Sequence, residues 1–236
     1  VIGEWKLELK DLREKLICSM PKKHILIKTP VPNKKVAQEW GDYHFALAMI
    51  KEFEALGYRA TFDFLNDWGH KDNEVDVILV LRGLNAYKPK AYHYNIMWNI
   101  SHPDKVTLDE YGSYDRVYIA SSCWAKHIKE SEPSSYTKVD VLLQCTDPEV
   151  FKCPEEKVIT HELLFVGNSR KVYRKVIKDV LPSEYNLSIY GSKWRGLVED
   201  SYIKGEHIEN KELYKYYHGA KIVLNDHWED MSEKGF

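Results

Sequence analysis

YNIMWNISHPD, positions 94–104, decides the fold. An apolar run there stops abruptly at Asn, Ser, His, Pro and Asp, and α/β proteins place ligand chemistry in such loops, beyond the carboxyl ends of buried strands. ELLFVGNSR, positions 162–170, repeats the arrangement in the other half of the chain. One such strand-to-loop edge in each half predicts two nucleotide-fold units with a cleft between them.

Outward from these edges, HILIK at 24–28, RATFDF at 59–64, VDVILVL at 75–81, YHYNIMW at 92–98 and RVYIA at 116–120 read as strands. A long helix over 36–56 follows the first strand, with Gly57 as its left-handed cap. A helix over 124–130 and a strand over 139–143 complete this half. TDPEVFKCPEE at 146–156 has two prolines and no periodicity, which marks a linker. The pattern then restarts: strand HELLFV at 161–166, helix 171–181, strand NLSIY at 186–190, helix 211–218 and strand KIVLN at 221–225. Trp5, Leu9, Leu12 and Leu16 space an amphipathic helix over a leading segment, 1–22. Short strands alternating with helices imply crossover connections and mainly parallel sheets. The expectation is an α/β fold with units over 23–150 and 157–236.

Lys plus Arg (34) nearly balances Asp plus Glu (36), so no global field draws nucleic acid or an anionic membrane, and phosphate recognition falls to local basic clusters. The longest apolar run, 77–81, is too short to span a bilayer and no signal-peptide pattern opens the chain. Cys18, Cys123, Cys145 and Cys153 form no CxxC pair and have no His at ligand spacing, so neither a metal site nor a disulfide framework is expected. A soluble protein of a reducing, cytoplasmic compartment fits these features. Val1 at one end and Phe236, just after a strand and a polar loop, at the other read as the ends of a piece of a longer chain.

Gly167, Asn168 and Ser169 precede an expected helix carrying Arg170, Lys171 and Arg174. A helix N-terminus offers unpaired N–H groups, a glycine lets phosphate approach the backbone, and guanidinium groups grip a diphosphate. Asn168 or Ser169 equally suits a plain N-cap with the basic residues on a solvated face. A full GxGxxG is absent, which counts against NAD. In the first half, Gly41, Asp42 and His44 start the long helix, Arg82 follows one strand, and His102 and Asp104 follow the next. All belong at the carboxyl edge of a parallel sheet, where they are expected to share a crevice. His102 and Asp104 suit a general base or sugar-hydroxyl ligands, and a turn after Pro103 is the plainer role for Asp104. Trp40, Tyr43, Leu47 and Ile50 form a helical core stripe, whereas Trp98, Trp194 and Trp228 sit where a sugar face stacks.

The segments DVILVLRGL (76–84), NIMWNISHPDKV (95–106), LLQCTDPEVF (142–151), LLFVGNSRKVYR (163–174), GEHIENKELYKYY (205–217) and VLNDHWEDM (223–231) together resemble the CgeB-like glycosyltransferases. These are bacterial enzymes of the GT-B fold, named for a spore-maturation protein. The resemblance implies two Rossmann-like domains facing a cleft, a nucleoside-diphosphate sugar donor held mainly by the second, an acceptor reached through the first, and no metal or other cofactor. It implies a hexosyl or related transfer to a hydroxyl of a glycan or cell-surface polymer precursor. By position, Gly167, Asn168, Ser169, Arg170 and Arg174 are expected at the diphosphate, Tyr190, Gly191, His207 and Ile208 at the nucleoside, and Asn225, Asp226 and His227 at the donor sugar. Asp42, His44, Arg82, His102 and Asp104 are the expected catalytic rim; an inverting enzyme needs a base such as Asp104 or His102, and a retaining one does not. The family pattern continues past Phe236 into a further helix and strands, so the second domain here is expected to be truncated and further domains to follow. A non-catalytic glycan- or nucleotide-binding module and a nucleotide-sugar epimerase are the alternatives on the same fold.

Overall fold

Apolar residues crowd both parities of the central strands because both faces of a parallel sheet are covered by its crossover helices. The computed structural model describes residues 23–70, 72–131, 138–156 and 160–236; the expected leading helix over 1–22 lies outside the described residues. In chain order, the first sheet and its helices are β1 (His24–Lys28), α1 (Gly41–Ala55), β2 (Arg59–Asp63), β3 (Val77–Arg82), β4 (Tyr94–Asn99), α2 (Leu108–Gly112), β5 (Arg116–Ile119), α3 (Ser122–Ser131) and β6 (Val139–Val141). Six strands order as β2-β1-β3-β4-β5-β6, all parallel. Ile25, Ile27, Leu79 and Leu81 face Ala46, Phe45 and Met49 of α1. Leu26, Ile78, Val80 and Met97 face Tyr111, Ala125 and Ile128 of α2 and α3 on the other side.

After β6 the chain leaves this sheet and builds a second, of order β10-β7-β8-β9, again all parallel. Its elements are β7 (His161–Val166), α4 (Lys175–Val180), β8 (Leu187–Tyr190), β9 (Ile203–Gly205), α5 (Leu213–Gly219) and β10 (Ala220–Leu224), followed by α6 (Glu229–Glu233). Leu163, Phe165, Ile177, Leu187, Ile189 and Trp194 form its core. Strand β9 and helix α6 were not expected, because three and five residues are too short to show a period. Among the described residues, no helix is long and apolar enough to cross a membrane.

Two expected helices are cut back. The one over 36–56 breaks at Trp40, whose extended backbone separates a short 3-10 turn (Ala37–Glu39) from α1, while Gly57 does take a positive φ of 90°. The one over 171–181 begins only at Lys175, because Arg170 (φ 56°) and Lys171 (φ 64°) adopt left-handed backbone that no helix can include.

A charged knot closes the carboxyl edge of the first sheet. Lys28, fully buried at the end of β1, donates to Asp63 at the end of β2 (2.8 Å) and to Asp72, which also accepts from Tyr87 (2.8 Å) and Lys90 (3.1 Å). Burial alone would push the Asp72 carboxyl up, but its hydrogen bonds from Lys28, Tyr87 and Lys90 outweigh that and hold it at about 2. Removing the ammonium takes the ion-pair partner from the buried Asp63 carboxylate and leaves Asp72 with Tyr87 and Lys90, so Lys28→Ala is expected to lose about 3 kcal/mol of unfolding free energy in urea titrations. Because the folded pKa of Asp72 lies below its ordinary 3.8, its contribution is complete above that value and lost as pH falls through about 2. Asp72→Asn should remove this part of the acid dependence.

Candidate active site

The carboxyl ends of both sheets look onto the first turn of α1, where three adjoining cavities of about 660, 600 and 300 Å³ meet. Gly41 and His44 line the two larger ones, and Asp42 lines the largest and the smallest. The 600 Å³ cavity runs from Gln38, Trp40, Gly41 and His44 to Gly167, Asn168, Tyr190, Gly191, Lys193, His207 and Ile208 of the second half. The 300 Å³ cavity sets Asp42, Ser101 and His102 against Arg170, Asp226, His227 and Trp228.

Close backbone contact fixes the second half of this rim. Gly191 (φ 146°) lies so near the loop after β7 that a Cβ there would sit 2.1 Å from the Gly167 carbonyl oxygen. Gly167 also accepts from Trp194 Nε1 (2.8 Å), and Asn168 Oδ1 accepts from the Ser192 amide (2.7 Å) and hydroxyl (3.0 Å). Ser169 is fully buried, donating to the Lys193 carbonyl and accepting from the Lys171 amide (3.0 Å). The side-chain groups of Asn168 and Ser169 therefore tie the β7 loop to the β8 loop. Neither caps a helix, and Ser169 is withdrawn from the diphosphate role expected of it.

Arg174 differs in the same way. Its Nε donates to Asp226 (3.1 Å), its Nη2 reaches the same carboxylate, and the guanidinium lies 4.7 Å from the Trp228 ring centroid. Arg174 and Asp226 thus neutralise each other as a strut between α4 and the loop after β10. Arg170 is exposed, lies over Trp228 at 5.2 Å, and is the one Arg or Lys among the described residues lining the smallest cavity. Lys193 (φ 67°), which the sequence reading passed over, lines the 600 Å³ cavity. A signal was present: IYGSK after β8 echoes FVGNSR after β7. Tyr190 meets Tyr216 edge-on at 5.1 Å, and burial raises its phenol pKa. Asn225 is exposed and lines none of the three cavities, whereas His227 lines the smallest.

On the first half, burial raises the Asp42 carboxyl pKa, opposed by its own backbone N–H and by the positive charge of Arg170. His44 Nε2 donates to the Gln38 carbonyl (3.1 Å). Arg82 does not face the cleft. It is 2 % exposed, and its Nε (2.6 Å) and Nη2 (2.9 Å) grip the Glu110 carboxylate while Nη1 donates to the Gly83 carbonyl and Nη2 also to that of Lys105.

His102, left-handed at φ 50°, reaches the cleft, with Nδ1 3.5 Å from Asp230 Oδ2. Asp104 lines none of the three cavities; a hydrogen bond shared with Asp230, then Lys105 at 3.1 Å, pulls its carboxyl below the usual range. Single ligand atoms of His102, Asp104 and Asp230 lie within 4.8 Å of one another, a spacing that a divalent cation bound through nitrogen and oxygen accepts. Of the tryptophans expected to stack on sugar, Trp98 and Trp194 are buried in the two cores and only Trp228 lines a cavity. Trp40 and Leu47, expected in the core, line cavities instead.

No protein-family model and no curated protein matches the chain, so the chemistry rests on the geometry of this cleft. Gly191→Ala drives a methyl group into backbone and should destabilise by about 1–3 kcal/mol, whereas Gly41→Ala, with open space around it, should be near neutral. Thermal melts of both variants check this. The raised pKa of Asp42 means that the folded state holds its proton more tightly than the unfolded chain does. Its ionisation therefore costs stability as pH rises through the folded value. Asp42→Asn should melt higher than the parent at neutral pH and show no advantage below the ordinary carboxylate range.

Proposed function

We propose that the protein is a glycosyltransferase of the GT-B type, moving a sugar from a nucleoside diphosphate to a hydroxyl group of a glycan or cell-surface polymer precursor. The observation that carries this reading is the 600 Å³ cavity bridging the two sheets, with a polar, aromatic wall on the second and α1 on the first. Its size suits a nucleotide, and parallel sheets bind ligands at their carboxyl edges. Tyr190, Gly191, His207 and Ile208 hold the nucleoside, and Arg170 with Lys193 offsets the charge that grows on the leaving diphosphate. As the bond from the anomeric carbon to the diphosphate breaks, the acceptor oxygen forms its bond to that carbon. In an inverting reaction Asp42 or His102 receives the hydroxyl proton, and the raised pKa of Asp42 suits that task. Free, exposed Cys123, Cys145 and Cys153 support a reducing, cytoplasmic location.

Calorimetry with a panel of nucleoside diphosphates tests the reading. A charged hydrogen bond contributes about 1.5–3 kcal/mol, so Arg170→Ala should weaken diphosphate binding by about tenfold or more while binding of the bare nucleoside holds. Equal loss of both indicates misfolding or another site, and loss of neither makes the loop after β7 purely structural. Donor turnover that requires an acceptor supports a transferase; turnover without one indicates an epimerase, and binding without turnover a recognition module.

A further inference from the structure

The largest cavity has no part in nucleotide binding as proposed, and its lining is specific. It joins the nucleotide cavity at Gly41 and His44 and runs along α1. Phe45, Ala48 and Lys51 fall three residues apart on one stripe of that helix. From Asp42 to Lys51 the helix advances roughly 14 Å, longer than a single sugar ring. Ile100 also lines it, as do Val150 and Phe151 from the segment between the sheets. Gln144, whose Nε2 donates to the Ile100 carbonyl, and Thr146 add polar groups to the lining.

Charge narrows the occupant further. Asp42, Asp147 and Glu149 face this cavity with Lys51 as the one Lys or Arg of its lining among the described residues, and Lys51 is already paired with Glu149. The lining repels anions. That disfavours phosphate-bearing acceptors, which the balance of the whole chain leaves open.

We propose that this cavity is the acceptor site and that it takes an uncharged hydroxyl compound carrying an apolar alkyl or aryl group. The proposal rests on the transferase reading. The sugar or alcohol end lies at the first turn of α1, where Asp42 faces both this cavity and the one containing Arg170. The apolar group lies along Phe45, Leu47 and Ala48 toward Phe151.

Ligand-observed NMR with hexyl β-glucoside, phenyl β-glucoside, free glucose and hexyl phosphate tests this, alongside calorimetry with nucleoside diphosphates. One or both glycosides should bind about tenfold or more tighter than glucose, which burial of two or three methylene groups supplies, and tighter than hexyl phosphate. The preferred glycoside tells an alkyl source from an aryl one. Ala48→Trp, which fills the cavity, and Leu47→Asp, at an exposed position (40 %), should each weaken glycoside binding severalfold and leave nucleoside diphosphate binding unchanged. Glucose binding as well as the glycosides, hexyl phosphate binding as tightly, or glycoside binding unaffected in both variants would overturn the proposal. Failure of every nucleoside diphosphate to bind overturns the transferase reading instead, and is read independently of the glycoside arms.

Discussion

Every strand pairing in both sheets is parallel, and this one constraint decides where the chain can place its chemistry. Parallel neighbours require crossover connections, so the loops that leave the carboxyl ends accumulate along one edge of each sheet. The buried knot of Lys28, Asp63, Asp72 and Tyr87 pins three of those connections in the first sheet, and the Gly167 to Gly191 contact pins two in the second. The cavities lie where these pinned edges meet.

Strands such as VILVLR and HELLFV were legible because burial on both faces leaves an apolar run that little else explains. The loops after them were legible as places, and several of their residues do line the cleft. What each polar side chain does there was not legible. Arg82 looks like a rim cation until Glu110, 28 residues away, takes its guanidinium. Arg174 looks like a phosphate ligand until Asp226, 52 residues away, neutralises it. Local pattern reports that a charge stands at a strand end, and a distant partner decides whether that charge is free.

The same limit applies to backbone conformation. Four residues other than glycine take positive φ: His102, Arg170, Lys171 and Lys193, among the described residues. Each costs about 1–2 kcal/mol relative to ordinary backbone. Three of them line the cleft cavities, and two of those are the cations left unneutralised on its second-sheet side. Strain gathered at a rim, held by buried bonds such as those of Ser169, is the pattern expected where side chains are aimed at a ligand rather than at the core.

Residues 229–236 follow the second sheet in sequence but make their contacts on the first. Ser121 donates to the Lys234 carbonyl (2.5 Å), Lys234 Nζ lies 5.4 Å from the Trp124 ring centroid, and Phe236 packs on the first core. The two units are thereby joined twice, by the connecting chain and by this clasp, like a book held at both the spine and the fore-edge. A ligand entering between them meets walls already at working distance. Much of the rotational entropy that a freely hinged pair would lose on closing around it has already been lost in folding.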